Sequence, residues 1–228
     1  MNESQKSAFL DGEGDAWFRR NRAAGRPETE IERKTRDMLA AYLKPGDRAL
    51  EIGAADGSNL AALHDRIRVR FGAPILCHGI DPSAEAVAQG RLCHPFLELR
   101  QATAEALPYP DSHFQLVWFG FCFYLLDREL LMRAVAEADR VLADGGFLAI
   151  TDFDPPLPAR RAYRHRHGVF SWKMDYSRLF LANPAYVLVE KASYSHHAPV
   201  FHADPGERIA TWILAKTPEG AYRHEEDR

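Results

Sequence analysis

Carboxylates and glycines meet in one short run of this chain, residues 48–60, which reads RALEIGAADGSNL. Glu51 stands two residues before Gly53, and Gly57 follows four later, giving E-x-G-x-x-x-G. Glycine lets backbone approach a ligand where a Cβ would collide, and Gly57 suits a tight entry into a helix. The carboxylate beside the turn repels phosphate and welcomes a cationic ligand. A dinucleotide loop would need G-x-G-x-x-G, its second glycine admitting the pyrophosphate, and here Ala55 holds that place. No Lys-Ser or Lys-Thr pair follows Gly57, which excludes a Walker loop. Asp81, 24 residues past Gly57 and followed by Pro82, suits ribose hydroxyls. A charged hydrogen bond of that kind is worth about 1.5 to 3 kcal/mol.

Two further groups carry reactive side chains. Asp152 and Asp154 form a pair that could bind a substrate hydroxyl or act as base, or one of them caps a turn before Pro155 and Pro156. Residues 155–177 read PPLPARRAYRHRHGVFSWKMDYS, with Arg160, Arg161, Arg164 and Arg166 interleaved with Tyr163, His165 and His167. Forked guanidinium hydrogen bonds could hold a phosphate or diphosphate; the alternative is a solvated basic loop. Either histidine could deprotonate a hydroxyl near neutral pH.

Alternating elements must position these groups. Ala49, Leu50 and Ile52 suit a strand buried on both faces, and Leu60, Leu63 and Ile67 lead a helix after it. Residues 75–80 predict the second strand and SAEAVAQGRL a helix capped by Ser83. A third strand is expected over 97–99 and a fourth over 114–119, running into the aromatic stretch GFCFYLLD. Leu131, Ala134, Val135, Ala138 and Val141 place a helix over 128–142 that Gly145 and Gly146 terminate, before strand five at 147–151. Residues 186–190 and 209–215 complete the strands. Upstream, residues 9–22 set Trp17 and Phe18 among charges, as a surface helix or as a lid. Pro27 is then expected to open a helix with Glu28, Glu30 and Glu32 near its positive end.

The glycine turn, the Asp81 strand end, the segment ATAEALPYPDSHFQLVWF and the segment RVLADGGFLAITDF occur in an order and spacing that resemble the class I S-adenosylmethionine-dependent methyltransferases. The resemblance implies an α/β, Rossmann-like fold: a seven-stranded, mostly parallel sheet with an antiparallel last strand and helices on both faces. It implies one domain over 1–228, divided into a helical cap (1–44), a cofactor core (45–154), a substrate-side insertion (155–180) and closing strands (181–217). S-adenosyl-L-methionine is the cofactor implied, held by Glu51, Gly53, Ala54, Gly57, Asp81 and Pro82, with Ala104 and Glu105 near adenine and Phe119 and Gly120 beyond. Trp17, Tyr124, Asp152, Arg160, Arg161, Tyr163 and Arg164 are the expected acceptor contacts. His165, His167 and Asp154 are the candidate bases. Tyr124 stands where the family often has histidine, and Gln115 where it usually has aspartate.

The acceptor is expected to be a small molecule. The arginine-rich stretch favours O-methylation of a sugar or sugar nucleotide, and the leader resembles that of methyltransferases linked to surface-sugar biosynthesis. The aromatic stretch allows N- or C-methylation of an aromatic or polyketide-like metabolite instead. A non-catalytic cofactor-binding partner protein is the reading from another class.

Composition bounds these expectations. With 228 residues, 46% apolar and 11% aromatic, the chain can bury one sizeable core. A net charge of −3 gives no electrostatic case for nucleic acid. Cys77, Cys93 and Cys122 lack metal spacing and read as thiols of a reducing, cytoplasmic compartment, with Cys77 and Cys122 in buried strands. No signal peptide or membrane-length apolar run is read, so no membrane partner is expected. A homodimer is the assembly considered. His196, His197 and His202 have no carboxylate or cysteine set to complete a metal site, and none is assigned.

Overall fold

Ala49–Ile52, Cys77–Ile80 and Leu116–Phe119 are buried on successive residues, as strands covered on both faces must be. The computed structural model, which describes residues 4–21, 28–195 and 197–222, sets them side by side at the centre of a sheet. Its strands are β1 (Arg48–Ile52), β2 (Leu76–Asp81), β3 (Glu98–Gln101), β4 (Phe114–Gly120), β5 (Leu142–Phe153), β8 (Tyr186–Ser195) and β9 (Arg208–Lys216). They lie in the order β3-β2-β1-β4-β5-β9-β8, with β9 antiparallel to both its neighbours and the other pairings parallel. The seven-stranded α/β expectation holds. The order reverses between β1 and β4, the point where ligands collect in open parallel sheets.

One apolar layer joins α3 (Glu30–Ala40) and α4 (Ser58–Phe71) to the sheet through Met38, Leu39, Leu60, Leu63 and Ile67. The opposite layer joins α6 (Leu131–Val141) and α7 (Ser177–Leu181) through Ala134, Ala138, Val141 and Phe180. Between β2 and β3 runs α5 (Ala84–Cys93), whose Ala86 N–H donates to Ser83 Oγ at 3.0 Å, the expected cap.

Several local expectations shift. Pro27 lies outside the described residues, and α3 begins at a capping box instead. Glu32 N donates to Thr29 Oγ1 at 3.2 Å and Thr29 N to Glu32 Oε2 at 2.8 Å. The Thr-x-x-Glu spacing was the available signal. Helix α6 stops at Val141 without waiting for the glycine pair. Leu142 is already extended and paired with Phe114, and Gly145, at φ +76°, falls inside a β5 whose register shifts there. Cys77 is buried in β2, but Cys122 lies in the turn after β4.

The insertion has structure of its own. A hairpin of β6 (Ala159–Ala162) and β7 (Phe170–Lys173) stands apart from the main sheet. The leader forms α1 (Gln5–Ala8), a wide turn through Gly12 at φ +122°, and α2 (Gly14–Asn21). Buried Gln5 ties the two together: its Nε2 donates to Phe170 O and Leu125 O, while its Oε1 accepts from Phe170 N and Trp172 Nε1. Asp15 of α2 accepts from Ser83 Oγ at 2.6 Å and Glu85 N at 3.1 Å, seating the leader on the start of α5.

Candidate functional site

The turn after β1 is built by backbone first. Gly53 N and Ala54 N both donate to Ile80 O, at 2.9 and 3.0 Å, pinning the turn to the end of β2. Gly53 sits at φ +79°, and a Cβ there would come within 2.7 Å of Cys122 Cβ. At Gly57, φ +76°, a Cβ would meet Leu97 Cδ1 at 2.7 Å. Both glycines are therefore favoured by backbone conformation and protein packing. Ala55 adopts a left-handed φ of +47° and donates its N–H to Asp81 Oδ2 at 2.8 Å.

Three polar side chains converge on this turn. Asp81 accepts from Ala55 N on one oxygen and from Ser83 N, at 2.9 Å, on the other. Each oxygen keeps a second lone pair for an incoming hydroxyl. Burial pushes the Asp81 carboxyl up to about 6 against the pull of these amides. Glu51 is 0% exposed; its Oε1 accepts from Asn59 Nδ2 at 3.3 Å, and its Oε2 has no hydrogen-bond partner. Burial pushes this carboxyl up to about 8. A Cβ on Gly120 would run into Glu51 Oε1, so the end of β4 must be glycine for the carboxyl to fit. The other end of Asn59 accepts from Arg36 Nη1 at 2.7 Å. Arg36 is buried, pairs with Glu28, and leaves its Nε unpartnered. Asn59 thus bridges an acid and a guanidinium, each with one unsatisfied atom.

A cavity opens from this turn along the ends of β1, β2 and β4. Gly53, Asp81, Pro82, Ala104, Glu105 and Gly120 line it from below, and Lys6, Phe9 and Trp17 of the leader from above. A wider groove past Gly53 and Gly120 includes Ala54, Asn59 and Arg36. Lys6 Nζ lies 2.6 Å from Glu105, whose Oε1 also accepts from Thr103 Oγ1 at 2.7 Å. Burial works to raise the Glu105 carboxyl, but these two bonds outweigh it and hold it below the usual range. Lys6, Arg36 and Asn59 were not among the sequence candidates. The available signal was a cation and an amide at inward helical positions.

Past Gly120 three rings gather at the carboxyl ends of β4 and β5. Phe121 lies 5.3 Å from Tyr124 and 5.0 Å from Phe153, and Tyr124 and Phe153 are 5.1 Å apart. Burial and neighbouring Asp152 push the Tyr124 hydroxyl far above the usual tyrosine range, with Trp17 pulling the other way. Asp152 is buried beneath these rings, where Tyr124 N and Phe153 N donate to it at 3.2 and 2.7 Å. Burial raises its carboxyl to about 7. It holds the aromatic turn in shape.

Other expected site residues lie elsewhere. Phe119 is 0% exposed and stacks on Phe123 at 3.8 Å, because strand alternation aims it into the core; Gly120 and Phe121 reach the cavity instead. Asp154 pairs with Lys191 at 2.9 Å and Ser193 Oγ at 3.1 Å, on the β8 side of the sheet. His165 and His167 are exposed on the hairpin turn. The arginines do not converge. Arg160 lies over Phe170 at 4.8 Å, Arg166 donates to Ala8 O at 3.1 Å, and Arg161 and Arg164 are exposed. Adjacent strand residues face opposite ways, so Arg160 and Arg161 cannot share one phosphate. Tyr163 faces the leader, donating to Glu13 Oε1 at 3.1 Å and accepting from Arg20 Nη2 at 3.1 Å.

A family model described as a methyltransferase domain matches residues 50–150, the stretch from the glycine turn through β5. Over that stretch, a little under half of the chain, the sequence is similar to the class I S-adenosylmethionine-dependent methyltransferases. S-adenosylmethionine is the cofactor of that family. A ubiquinone/menaquinone biosynthesis C-methyltransferase of Stenotrophomonas maltophilia is 33% identical over 121 residues, 51% of this chain and 46% of that protein. The chain spans about half the length of such curated relatives. A phosphatidylethanolamine N-methyltransferase of Cereibacter sphaeroides is 27% identical over 73% of this chain and 83% of its own. In fold, the chain resembles the Burkholderia thailandensis 1,6-didemethyltoxoflavin-N1-methyltransferase solved with its acceptor and S-adenosylhomocysteine. That match has a TM-score of 0.65 and 15% identity, covering 93% and 87% of the two chains. No described helix is long and apolar enough to cross a membrane.

Proposed function

We propose that this chain transfers a methyl group from S-adenosylmethionine to a nitrogen or carbon of a small, flat, apolar acceptor. The observation that carries the acceptor class is the aromatic lining of Phe9, Trp17 and Phe121 beside Gly120, with buried Tyr124 and Phe153 packed behind Phe121. The residues of the turn fit the cofactor. Unpartnered Glu51 Oε2 suits its α-ammonium, Arg36 Nε and Asn59 its carboxylate, and the spare lone pairs of Asp81 its ribose hydroxyls. Ala104 and Glu105 border the adenine end under Lys6.

When bound, S-adenosylmethionine supplies an activated methyl on a sulfonium. The chain's own task is alignment and exclusion of water. Trp17 and Phe9 cover the cavity, and Phe121, backed by buried Tyr124 and Phe153, gives a planar acceptor a ring to lie against. Holding reactants in line can supply roughly 7 to 11 kcal/mol of such a barrier. Aromatic faces also favour the positive charge shared between sulfur and acceptor, by about 0.5 to 2 kcal/mol. A neutral nitrogen or an activated carbon needs no strong base, in keeping with the surface positions of His165 and His167 and the ion pair of Asp154. A sugar oxygen has less support, since the arginines proposed to clamp its phosphates point apart.

The test is S-adenosylhomocysteine release in the presence of heteroaromatic amines, enolisable aromatic ketones and sugar nucleotides. Turnover is expected with a planar acceptor, retained in a His165→Ala/His167→Ala double variant and reduced about tenfold or more in Phe121→Ala. Turnover confined to sugar nucleotides would replace this acceptor class with the oxygen one. Cofactor binding without turnover across the whole panel would favour the partner-protein reading.

A further inference from the structure

The amino ends of β1 to β4, opposite to the end that carries Glu51 and Asp81, surround a second cleft with no part in the methyl transfer above. Arg48, His78, Phe96, Arg100, Tyr109 and His113 line it. Its rings are ordered: His113 stacks on Tyr109 at 6.2 Å and 13°, and His78 meets Tyr109 edge-on at 5.6 Å. Tyr109 is only 7% exposed, yet its hydroxyl has no hydrogen-bond partner. Leaving a buried hydroxyl unsatisfied costs about 1 to 3 kcal/mol, and folded proteins seldom do so without reason. Buried His78 Nδ1 is likewise without a hydrogen bond; the nearest acid, Glu98, lies 3.4 Å away.

The charges are unevenly committed. Arg100 lies over the Tyr109 ring at 5.0 Å and is held by Glu98 at 3.4 Å and Pro108 O at 3.1 Å. Glu98 therefore offsets Arg100. No acidic partner of the Arg48 side chain occurs among the described residues, and its guanidinium leaves one uncompensated positive charge at the cleft. The cleft volume is about 430 Å³, enough for a ring as well as an anionic head.

From this juxtaposition we propose that the cleft binds a small aromatic carboxylate. Arg48 and the Tyr109 hydroxyl donate to the carboxylate, and the ring lies against His113 and Phe96. A single uncompensated cation favours a monoanion over a phosphate dianion, and stacked flat side chains favour a planar body over a sugar. The site is independent of the methyl-transfer reading: it would stand or fall whatever the acceptor is.

Benzoate is the probe, titrated into the full chain while the histidine ring carbons of His78 and His113 are followed by NMR. Benzamide serves as the neutral isostere and phenyl phosphate as the dianion. The expected result is a saturable shift of both rings with benzoate at millimolar affinity, a weaker one with phenyl phosphate, and none with benzamide. Arg48→Gln, at an exposed position, should weaken benzoate about tenfold, and Tyr109→Phe about threefold, with S-adenosylhomocysteine affinity and melting temperature of Arg48→Gln unchanged. Equal binding of benzamide and benzoate, benzoate affinity indifferent to Arg48→Gln, or no saturation at tens of millimolar would each overturn the proposal.

Discussion

The floor and the roof of the cofactor cavity are built by different means. The floor is local: two amides of the β1 turn share Ile80 O, Asp81 holds the next amide, and Glu51 sits under Gly120. The roof is assembled from segments at least 99 residues apart. Gln5 joins the hairpin, Tyr163 reaches Glu13, Arg166 reaches Ala8, and Lys6 reaches Glu105. On the proposed function, cofactor recognition would rest on the backbone geometry of the turn, and acceptor selection on a body that closes from two distant parts of the chain.

The sharpest way to break the floor is Gly120→Ala. Its Cβ would collide with the Glu51 carboxyl, and overpacking of this kind costs about 1 to 3 kcal/mol. Calorimetry should show S-adenosylhomocysteine affinity reduced by about a hundredfold. The matching cut in the roof is Gln5→Ala, which removes four hydrogen bonds and leaves buried partners exposed or unpaired. A melting experiment should register a loss of about 2 kcal/mol, while S-adenosylhomocysteine affinity stays within about threefold. A large affinity loss in Gln5→Ala would dissolve the division between floor and roof.

Protonation sharpens the same contrast, because the floor acids are buried. Glu51 rises from an ordinary 4.5 to about 8 on folding, so the free chain takes up a proton as it folds. Its stability should fall as pH rises from about 4.5 through 8, the window in which the unfolded chain has already lost that proton. A cationic ammonium against Glu51 Oε2 would pull the carboxyl back down. At pH 7 roughly nine-tenths of the free protein carries the proton, which binding then releases. S-adenosylhomocysteine should bind more tightly at pH 8 than at pH 6, and calorimetric heats at pH 7 should depend on buffer ionisation. In Glu51→Gln both effects should shrink to the smaller contribution of Asp81, whose carboxyl lies at about 6.

The smallest effect concerns Ala55. A left-handed alanine costs about 1 to 2 kcal/mol, and glycine's extra freedom in the unfolded chain returns about 0.5 to 1 of that. Ala55→Gly should stabilise the chain by about 0.5 kcal/mol in denaturant titration without changing cofactor affinity.

The same division explains what the sequence could reveal. The strand, glycine turn, helix and Asp81 strand end are close in sequence, and their apolar runs and glycines report directly on local geometry. The sheet class followed from them. Strand parity was the weak point. The aromatic run from β4 into the turn after it contains Trp118, Phe119, Phe121 and Phe123, and composition alone does not say which face the cavity. The arginine-rich stretch looked like a phosphate clamp because sequence reports spacing and not direction; as a hairpin it sends neighbouring arginines to opposite faces. Asp154 was legible as an acid at a strand end, but Lys191, 37 residues later, claims it through β8. Arg36 and Lys6 escaped notice because their partners, Asn59 and Glu105, lie 23 and 99 residues away.

Calorimetric binding of S-adenosylhomocysteine to the wild type and to Asp81→Ala decides whether the β1 turn and the end of β2 hold the cofactor. Micromolar binding to the wild type, weakened about tenfold or more in the variant, is the predicted result, since a lost charged hydrogen bond costs about 1.5 to 3 kcal/mol. Equal affinity of the two proteins would contradict the role given to Asp81. No binding to the wild type would leave a family fold without its cofactor chemistry.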